Sequence, residues 1–238
     1  MIYVVGIGPG NAEHMTLRAK KIIKEVDVVV GYKVYIKLIE SLLTTQIVES
    51  NGMRGEVERC KKAIEYSRND KTVAVISSGD AGVYGMAGLV LELSDGQDHV
   101  EVVPGVTASS AGAAILGAPL MHDYCHISLS DLMTPIDKIM NRVKAAATSD
   151  FVICFYNPKS HGRPDYIKQA INMISEIQGN DILVGLAKDA GRDEEKTHIY
   201  KIDEVDYDLI DMTTIVIVGN KGTRMIGNLM VTPRGYEL

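Results

Sequence analysis

Short apolar runs alternate with longer amphipathic ones along the chain, and the apolar runs are rich in Val and Ile. Near-continuous Val/Ile runs predict strands buried on both faces, the pattern of a parallel sheet covered by helices. Such runs place strands at Ile2–Ile7, Val26–Val30, Val73–Ile76 and Val100–Val103. Helical spacing predicts helices over Thr16–Lys24, with Leu17, Ile22 and Ile23 inward, and over Arg54–Ser67 and Tyr84–Leu93. A run of small residues predicts another over Thr107–Leu116. Gly117-Ala118-Pro119 is the strongest break. Beyond it the pattern predicts strands at His126–Ser130, Phe151–Tyr156, Ile182–Ala187, Thr197–Ile202 and Ile215–Val218. Helices are predicted over Pro135–Ala147 and Pro164–Ile177. Strands alternating with helices define the α/β class, and the break predicts two α/β domains, 1–119 and 120–238. No repeat of 20–50 residues is present.

The junctions carry the candidate chemistry. Residues 77–88 read Ser-Ser-Gly-Asp-Ala-Gly-Val-Tyr-Gly-Met-Ala-Gly, between a strand and a helix. Glycine there lets bare backbone approach a ligand, which would meet free N–H groups and one carboxylate, Asp80. Similar punctuation follows other strands: Gly8-Pro9-Gly10, Pro104-Gly105 with Thr107, Asn157-Pro158 and Ala187-Lys188-Asp189. In open α/β sheets ligands bind outside the carboxyl ends of strands, although ordinary turns use the same residues. Gly6-Ile7-Gly8-Pro9-Gly10 is not the dinucleotide fingerprint, because Pro9 and Asn11 stand where that motif needs free backbone and glycine. No GxxxxGK[ST] phosphate loop occurs, which argues against nucleoside triphosphate chemistry.

Charge and cysteine usage narrow the partners. The 238 residues carry 31 acids against 25 bases, a net charge of −6. That balance argues against non-specific nucleic-acid binding, but a local basic cleft remains compatible with it. Cys60, Cys125 and Cys154 are odd in number and far apart, so buried free thiols and a reducing cytoplasm are expected. The N-terminus lacks a signal-peptide pattern, and no apolar run approaches a membrane span, so no membrane partner is expected. Trp is absent and Phe occurs twice, leaving eleven tyrosines as the aromatic supply.

Met121-His122-Asp123-Tyr124-Cys125-His126 is the densest polar cluster. The flanking residues alternate as a strand, which puts His122 and His126 on one face without forbidding ligation, but a substrate-facing polar loop is the expectation and no metal site is expected. Its histidines are candidates for acid or base work, since imidazole titrates near neutrality. Lys33, Arg54, Lys159, His161 and Arg163 all follow strand ends and are candidates for a polyanionic substrate, although each singly reads as an ordinary solvated cation.

Four motifs in order carry a family resemblance. They are Val5-Gly6-Ile7-Gly8-Pro9-Gly10, Ser78-Gly79-Asp80-Ala81-Gly82-Val83-Tyr84-Gly85, Val103-Pro104-Gly105-Val106-Thr107-Ala108 and Thr213-Thr214-Ile215-Val216-Ile217-Val218-Gly219. The chain resembles the tetrapyrrole (corrin/porphyrin) methylases, which use S-adenosylmethionine as methyl donor. Residues 77–88, 121–135 and 155–160 are most similar to the branch that methylates ring carbon 17 of precorrin-3B or cobalt-precorrin-3 in cobalamin biosynthesis. The resemblance implies two α/β domains with a cleft between them, a homodimer, and contraction of the macrocycle in the same step. It implies cofactor contacts from Pro9, Gly79, Asp80, Val83, Thr107, Ala108, Tyr156, Asn157 and Ala190. It leaves proton transfer to His122, Asp123 and His126, and substrate carboxylates to Lys33, Arg54, Lys159 and Arg163. Relatives acting on uroporphyrinogen carry Tyr-Asp-Arg where this chain has Tyr32-Lys33-Val34, so the acid's role there does not transfer. A methylase of another ring carbon, a methylase of a translation factor, and a non-catalytic corrinoid-binding protein are the alternatives.

Overall fold

The computed structural model describes residues 1–160 and 162–237, so the expectation for His161 lies outside the described residues. The chain divides into two compact units, Met1–Ala108 and Ser109–Leu238. The division falls eleven residues before the expected break at Pro119. The small-residue helix and Gly117-Ala118-Pro119 both belong to the second unit.

The first unit contains β1 (Ile2–Gly6), α1 (Leu17–Glu25), β2 (Val28–Tyr32), α2 (Lys33–Leu38) and β3 (Ile47–Asn51). It continues with α3 (Glu56–Arg68), β4 (Val73–Ser77), α4 (Ala87–Ser94) and β5 (Val100–Val103). The five strands form one parallel sheet in the order β3-β2-β4-β1-β5. Alternate side chains feed opposite faces. Val28, Val30, Val73 and Val75 pack under α3 and α4 with Cys60, Ala63 and Val90. Val29, Ala74, Ile76 and Val5 pack on the other side with Ala19, Ile23 and Ile39. Both faces being covered explains the unbroken Val/Ile runs.

Three expectations change here. Leu17 does not face inward: it is 85% exposed, and the inner stripe of α1 runs through Ala19 and Ile23. Thr16 sets that phase by capping the helix, its Oγ1 accepting from Ala19 N at 3.1 Å. The fourth helix starts at Ala87 rather than Tyr84, because Tyr84 has φ +53 and belongs to the preceding loop. β3 and α2 were not visible in the apolar pattern.

The second unit opens on α5 (Ala108–Leu116, its first residue the last of the other unit) and β6 (Gly117–Ala118). Then come β7 (Tyr124–Ser128), α6 (Ile136–Thr148), β8 (Val152–Tyr156), α7 (Tyr166–Gln178), β9 (Leu183–Lys188) and β10 (Lys196–Lys201). β11 (Thr214–Val218), β12 (Arg224–Ile226) and β13 (Leu229–Val231) complete it. Its main sheet has the order β10-β9-β11-β8-β7, and β12-β13-β6 form a small second sheet. This main sheet is mixed, not parallel throughout: β7 runs parallel to β8, while β11 is antiparallel to both β8 and β9. The ends of β7, β8 and β9 and the start of β11 therefore share one edge.

One face of this sheet buries Ile127, Ile153, Phe155, Val184, Leu186 and Val216 under α6 and α7. The other face meets α5 through its small residues. A Cβ on Gly112 would stand 2.3 Å from Ile215 Cγ2, and one on Gly185 would stand 2.7 Å from Leu116 Cδ1. The Ala/Ser/Gly composition of α5 is thus set by a close helix-to-sheet approach.

Candidate active site

In the first unit β4, β1 and β5 are adjacent and parallel, so their exit loops leave from one edge. The loops bind one another through the main chain. Gly8 N donates to Gly79 O at 3.0 Å, Gly79 N donates to Gly8 O at 2.7 Å, and Ile7 N donates to Ser77 O at 2.9 Å. Gly8 and Gly79 have φ of +75° and +67°, which only glycine adopts without strain. No side chain fits between these loops: a Cβ on Gly105 would lie 2.3 Å from Gly79 O, and one on Gly6 would lie 2.7 Å from Gly105 N.

Asp80 closes the arrangement. Its Oδ1 accepts from Gly82 N at 2.8 Å and Val83 N at 3.2 Å, and its Oδ2 accepts from Gly105 N at 2.9 Å. One carboxylate therefore ties the β4 loop to the β5 loop and satisfies three donors that no secondary structure would satisfy. Beside this clip the backbone of Gly79 is less tightly enclosed than that of Gly6 or Gly105. A Cβ on Gly79 would find its nearest neighbours at 3.7 Å, Ala108 N and Thr107 Cα, with Val106 O at 3.9 Å. The bare Cα of Gly79 faces one main-chain donor, Ala108 N, and one acceptor, Val106 O, which suits a ligand with a flat polar edge.

In the second unit the polar centre is Ser109, in the first turn of α5 and fully buried. Its N–H donates to the Tyr156 hydroxyl oxygen at 3.0 Å, and its Oγ lies 2.8 Å from His126 Nε2. The His126 and Tyr156 rings are 5.1 Å apart. Burial holds His126 below its ordinary imidazole value, so it is neutral at physiological pH. Asn157, at φ +52°, follows Tyr156 and donates through Nδ2 to Ser128 Oγ at 2.9 Å. Ala190 is buried in the turn after β9, between Asp189 at φ +49° and Gly191 at φ +75°. The thiols are not candidate nucleophiles: burial pushes Cys125 up to about 11 and Cys154 up to about 12.

The profile of the tetrapyrrole (corrin/porphyrin) methylases matches residues 1–206. The chain belongs to this family. It is 48% identical to a probable cobalt-factor III C(17)-methyltransferase of Salmonella typhimurium, across all of both chains. It is 36% identical to a precorrin-3B C(17)-methyltransferase of a Sinorhizobium species, covering 99% of this chain and 96% of that one. The crystal structure of the methyltransferase CobJ superposes with a TM-score of 0.92 at 31% identity, covering 98% of this chain and 99% of the other. The methyl donor of this tetrapyrrole methylase is S-adenosylmethionine. The glycine-lined backbone around Gly79 fits it, because the purine edge needs main-chain partners and close approach.

The expected residues of this tetrapyrrole methylase fall into distinct places. Pro9, Gly79, Asp80, Val83 and Thr107 lie on the three joined loops of the first unit, and Ala108 follows as the first residue of α5. Lys33 and Arg54 are exposed, after β2 and β3 at the same sheet edge. In the second unit Tyr156, Asn157 and Ala190 share the edge formed by the ends of β8 and β9. Lys159 and Arg163 lie near that edge but are engaged with the fold. Lys159 Nζ donates to Tyr207 O at 2.8 Å, and Arg163 Nη1 donates to Leu129 O at 2.8 Å.

His122, Asp123 and His126 do not form one cluster. His122 and Asp123 precede β7 and line a cavity of about 360 Å³ with Asp150, Phe151, Asn220 and Arg234. His126 is further along β7, opposite Cys154 and beside Tyr156. Three residues of extended chain carry His126 about 10 Å along β7 from Asp123. The sequence reading missed Ser109, whose only signal was the Ser109-Ser110 pair in the first turn of an Ala/Gly-rich helix. No group of three or more His, Cys, Asp or Glu side chains able to hold a metal occurs among the described residues.

Proposed function

We propose that this tetrapyrrole methylase transfers the methyl group of S-adenosylmethionine to ring carbon 17 of a cobalt-containing corrin precursor, with contraction of the macrocycle, in cobalamin biosynthesis. The observation that carries this reading is the end-to-end 48% identity to the probable cobalt-factor III C(17)-methyltransferase. The higher identity to that relative than to the precorrin-3B one favours a substrate that already holds cobalt. Here cobalt is part of the substrate.

The bound donor supplies an electrophilic methyl group, and the chain's own task is to hold and orient. Pro9, Gly79, Val83, Thr107 and Ala108 form the first unit's contacts to the donor, with Asp80 fixing the two loops that carry them. Tyr156, Asn157 and Ala190 are the second unit's contacts. No covalent enzyme intermediate is required, and the rate comes from alignment and exclusion of water. His126, a half-buried imidazole that burial keeps neutral, is the candidate for the proton transfer that ring contraction calls for. Lys33 and Arg54 are the exposed cations offered to substrate carboxylates. The enzyme works as a cytoplasmic homodimer, a reading supported by three free cysteines and by the family resemblance.

The test is incubation with 13C-methyl S-adenosylmethionine and either cobalt-factor III or precorrin-3B. The expected product carries the label at C-17 by NMR. A label at another carbon, or no labelled product from both substrates, would overturn the assignment.

A further inference from the structure

Two loops at the shared edge of the second unit's sheet present bare apolar side chains from rigid bases. After β7, Leu132 and Met133 are 67% and 94% exposed. The stem below them is held on every side. Leu129 N donates to Tyr156 O at 2.9 Å, Ser130 N donates to Ser128 Oγ at 3.2 Å, and Arg163 donates to Leu129 O. Asp131 pairs with Arg163 at 3.6 Å and accepts from the Tyr166 hydroxyl at 2.9 Å. Before β11, Met212 is 47% exposed on a turn held in the same manner. There Asp211 Oδ1 accepts from Thr213 N, Thr213 Oγ1 and Thr214 Oγ1, and Asp211 Oδ2 pairs with Lys188 Nζ at 2.6 Å.

Solvent exposure of one large apolar residue is ordinary. Adjacent ones on clamped loops are different, because a loop whose base is fixed cannot fold its tip inward. β8 lies between β11 and β7, so the two loops stand two strand spacings apart, about 10 Å. That span matches a flat four-ring macrocycle better than a single side chain. Tyr156 and Asn157 leave the sheet between the two loops. The unit's phenylalanines cannot serve as the platform: Phe155 is fully buried and Phe151 lies at the opposite end of β8. Methionine is suited to the task, being polarisable and adaptable against a π face.

We propose that Leu132, Met133 and Met212 form the apolar platform against which the face of the tetrapyrrole lies, with Arg163 and Asp211 as the residues that preset it. This inference rests on the functional reading above and adds the substrate contacts. The test compares Leu132→Ser/Met133→Ser, Met212→Ser and, as a control on the separate small sheet, Met225→Ser, which removes a residue 42% exposed. Cobalt-factor III binding is followed by its visible absorption, turnover by label transfer, and S-adenosylhomocysteine binding by calorimetry. The first two variants should weaken tetrapyrrole binding and raise its KM tenfold or more, with S-adenosylhomocysteine affinity within twofold and melting temperature unchanged. The control should match the wild type. Wild-type tetrapyrrole affinity in both platform variants overturns the proposal, as does a changed sedimentation coefficient with an unchanged KM, which marks the patch as an interface between copies. If the wild type itself binds the tetrapyrrole but yields no labelled product, the functional reading fails separately from the platform.

Discussion

Asp80 offers the sharpest perturbation, because one side chain accepts three main-chain donors from two loops. Each charge-assisted bond contributes about 1.5–3 kcal/mol, and the partial exposure of Asp80 favours the low end or below. Asp80→Ala leaves Gly82, Val83 and Gly105 N–H without their acceptor and should cost about 3 kcal/mol. At roughly 2–4 °C per kcal/mol for a chain of this size, the melting temperature should fall by about 6–12 °C. Asp80→Asn keeps one oxygen for Gly82 and Val83 but turns an amide NH2 toward Gly105 N–H. Donor then faces donor, and the cost should be about 1–2 kcal/mol.

Calorimetric titration separates loop geometry from charge. S-adenosylmethionine carries a sulfonium charge that S-adenosylhomocysteine lacks. With its oxygens committed to backbone N–H groups, Asp80 should act through loop shape, so Asp80→Asn should weaken both ligands by the same factor. A loss confined to S-adenosylmethionine would show the carboxylate acting on the cation instead. A wild-type melting temperature in Asp80→Ala would refute the clip itself.

Gly105→Ala forces a Cβ to within 2.3 Å of Gly79 O, and should destabilise the protein by about 3 kcal/mol and abolish S-adenosylhomocysteine binding in calorimetry. Arg163→Met removes the donors that hold Leu129 O and Asp131 from a side chain only 11% exposed; thermal unfolding should show a loss of about 2–4 kcal/mol, and an unchanged midpoint would contradict the clamp. Burial holds His126 below its ordinary 6.5, so the unfolded chain takes up that proton first as pH falls. Its contribution is therefore complete above about pH 6.5 and is lost on acidification through the folded value, and Asn in its place should flatten that part of the melting-temperature curve against pH.

The glycine loops after β1, β4 and β5 were legible in the sequence because their requirements are local. Gly8 and Gly79 need positive φ, Gly6 and Gly105 need the absence of a Cβ, and each requirement selects glycine whatever the rest of the fold does. What depends on a distant partner was not legible. β3 reads Ile-Val-Glu-Ser-Asn with Ile47 and Val48 more than 40% exposed, and it is a strand because β2 lies beside it. β7 begins two residues earlier than its alternation predicted, because Tyr124 and Cys125 are set by their register with Val152 and Ile153. The direction of β11 is invisible in Thr-Ile-Val-Ile-Val, which reads the same in a parallel or an antiparallel sheet. The four-residue spacing of His122 and His126 brings side chains together on a helix and spreads them along a strand.

The polar residues that follow the strands share a structural duty for one physical reason. A loop leaving a strand carries main-chain N–H and C=O groups that regular structure no longer pairs, and polar side chains close by are the cheapest partners. Lys159 donates to Tyr207 O, Arg163 to Leu129 O, and Asn157 to Ser128 Oγ, while Asp80 accepts from three N–H groups. Each stands where a ligand-binding residue would stand, and each has a bond that the loop itself requires. The groups left to meet a ligand are then those that the loops do not need for their own closure: bare glycine backbone in the first unit and bare apolar tips in the second. An S-adenosyl group and a flat macrocycle differ in the same sense, one rich in polar edges and the other broad and apolar. That correspondence, rather than the position of any one cation, is why the glycine loops are assigned to the donor and Leu132, Met133 and Met212 to the ring.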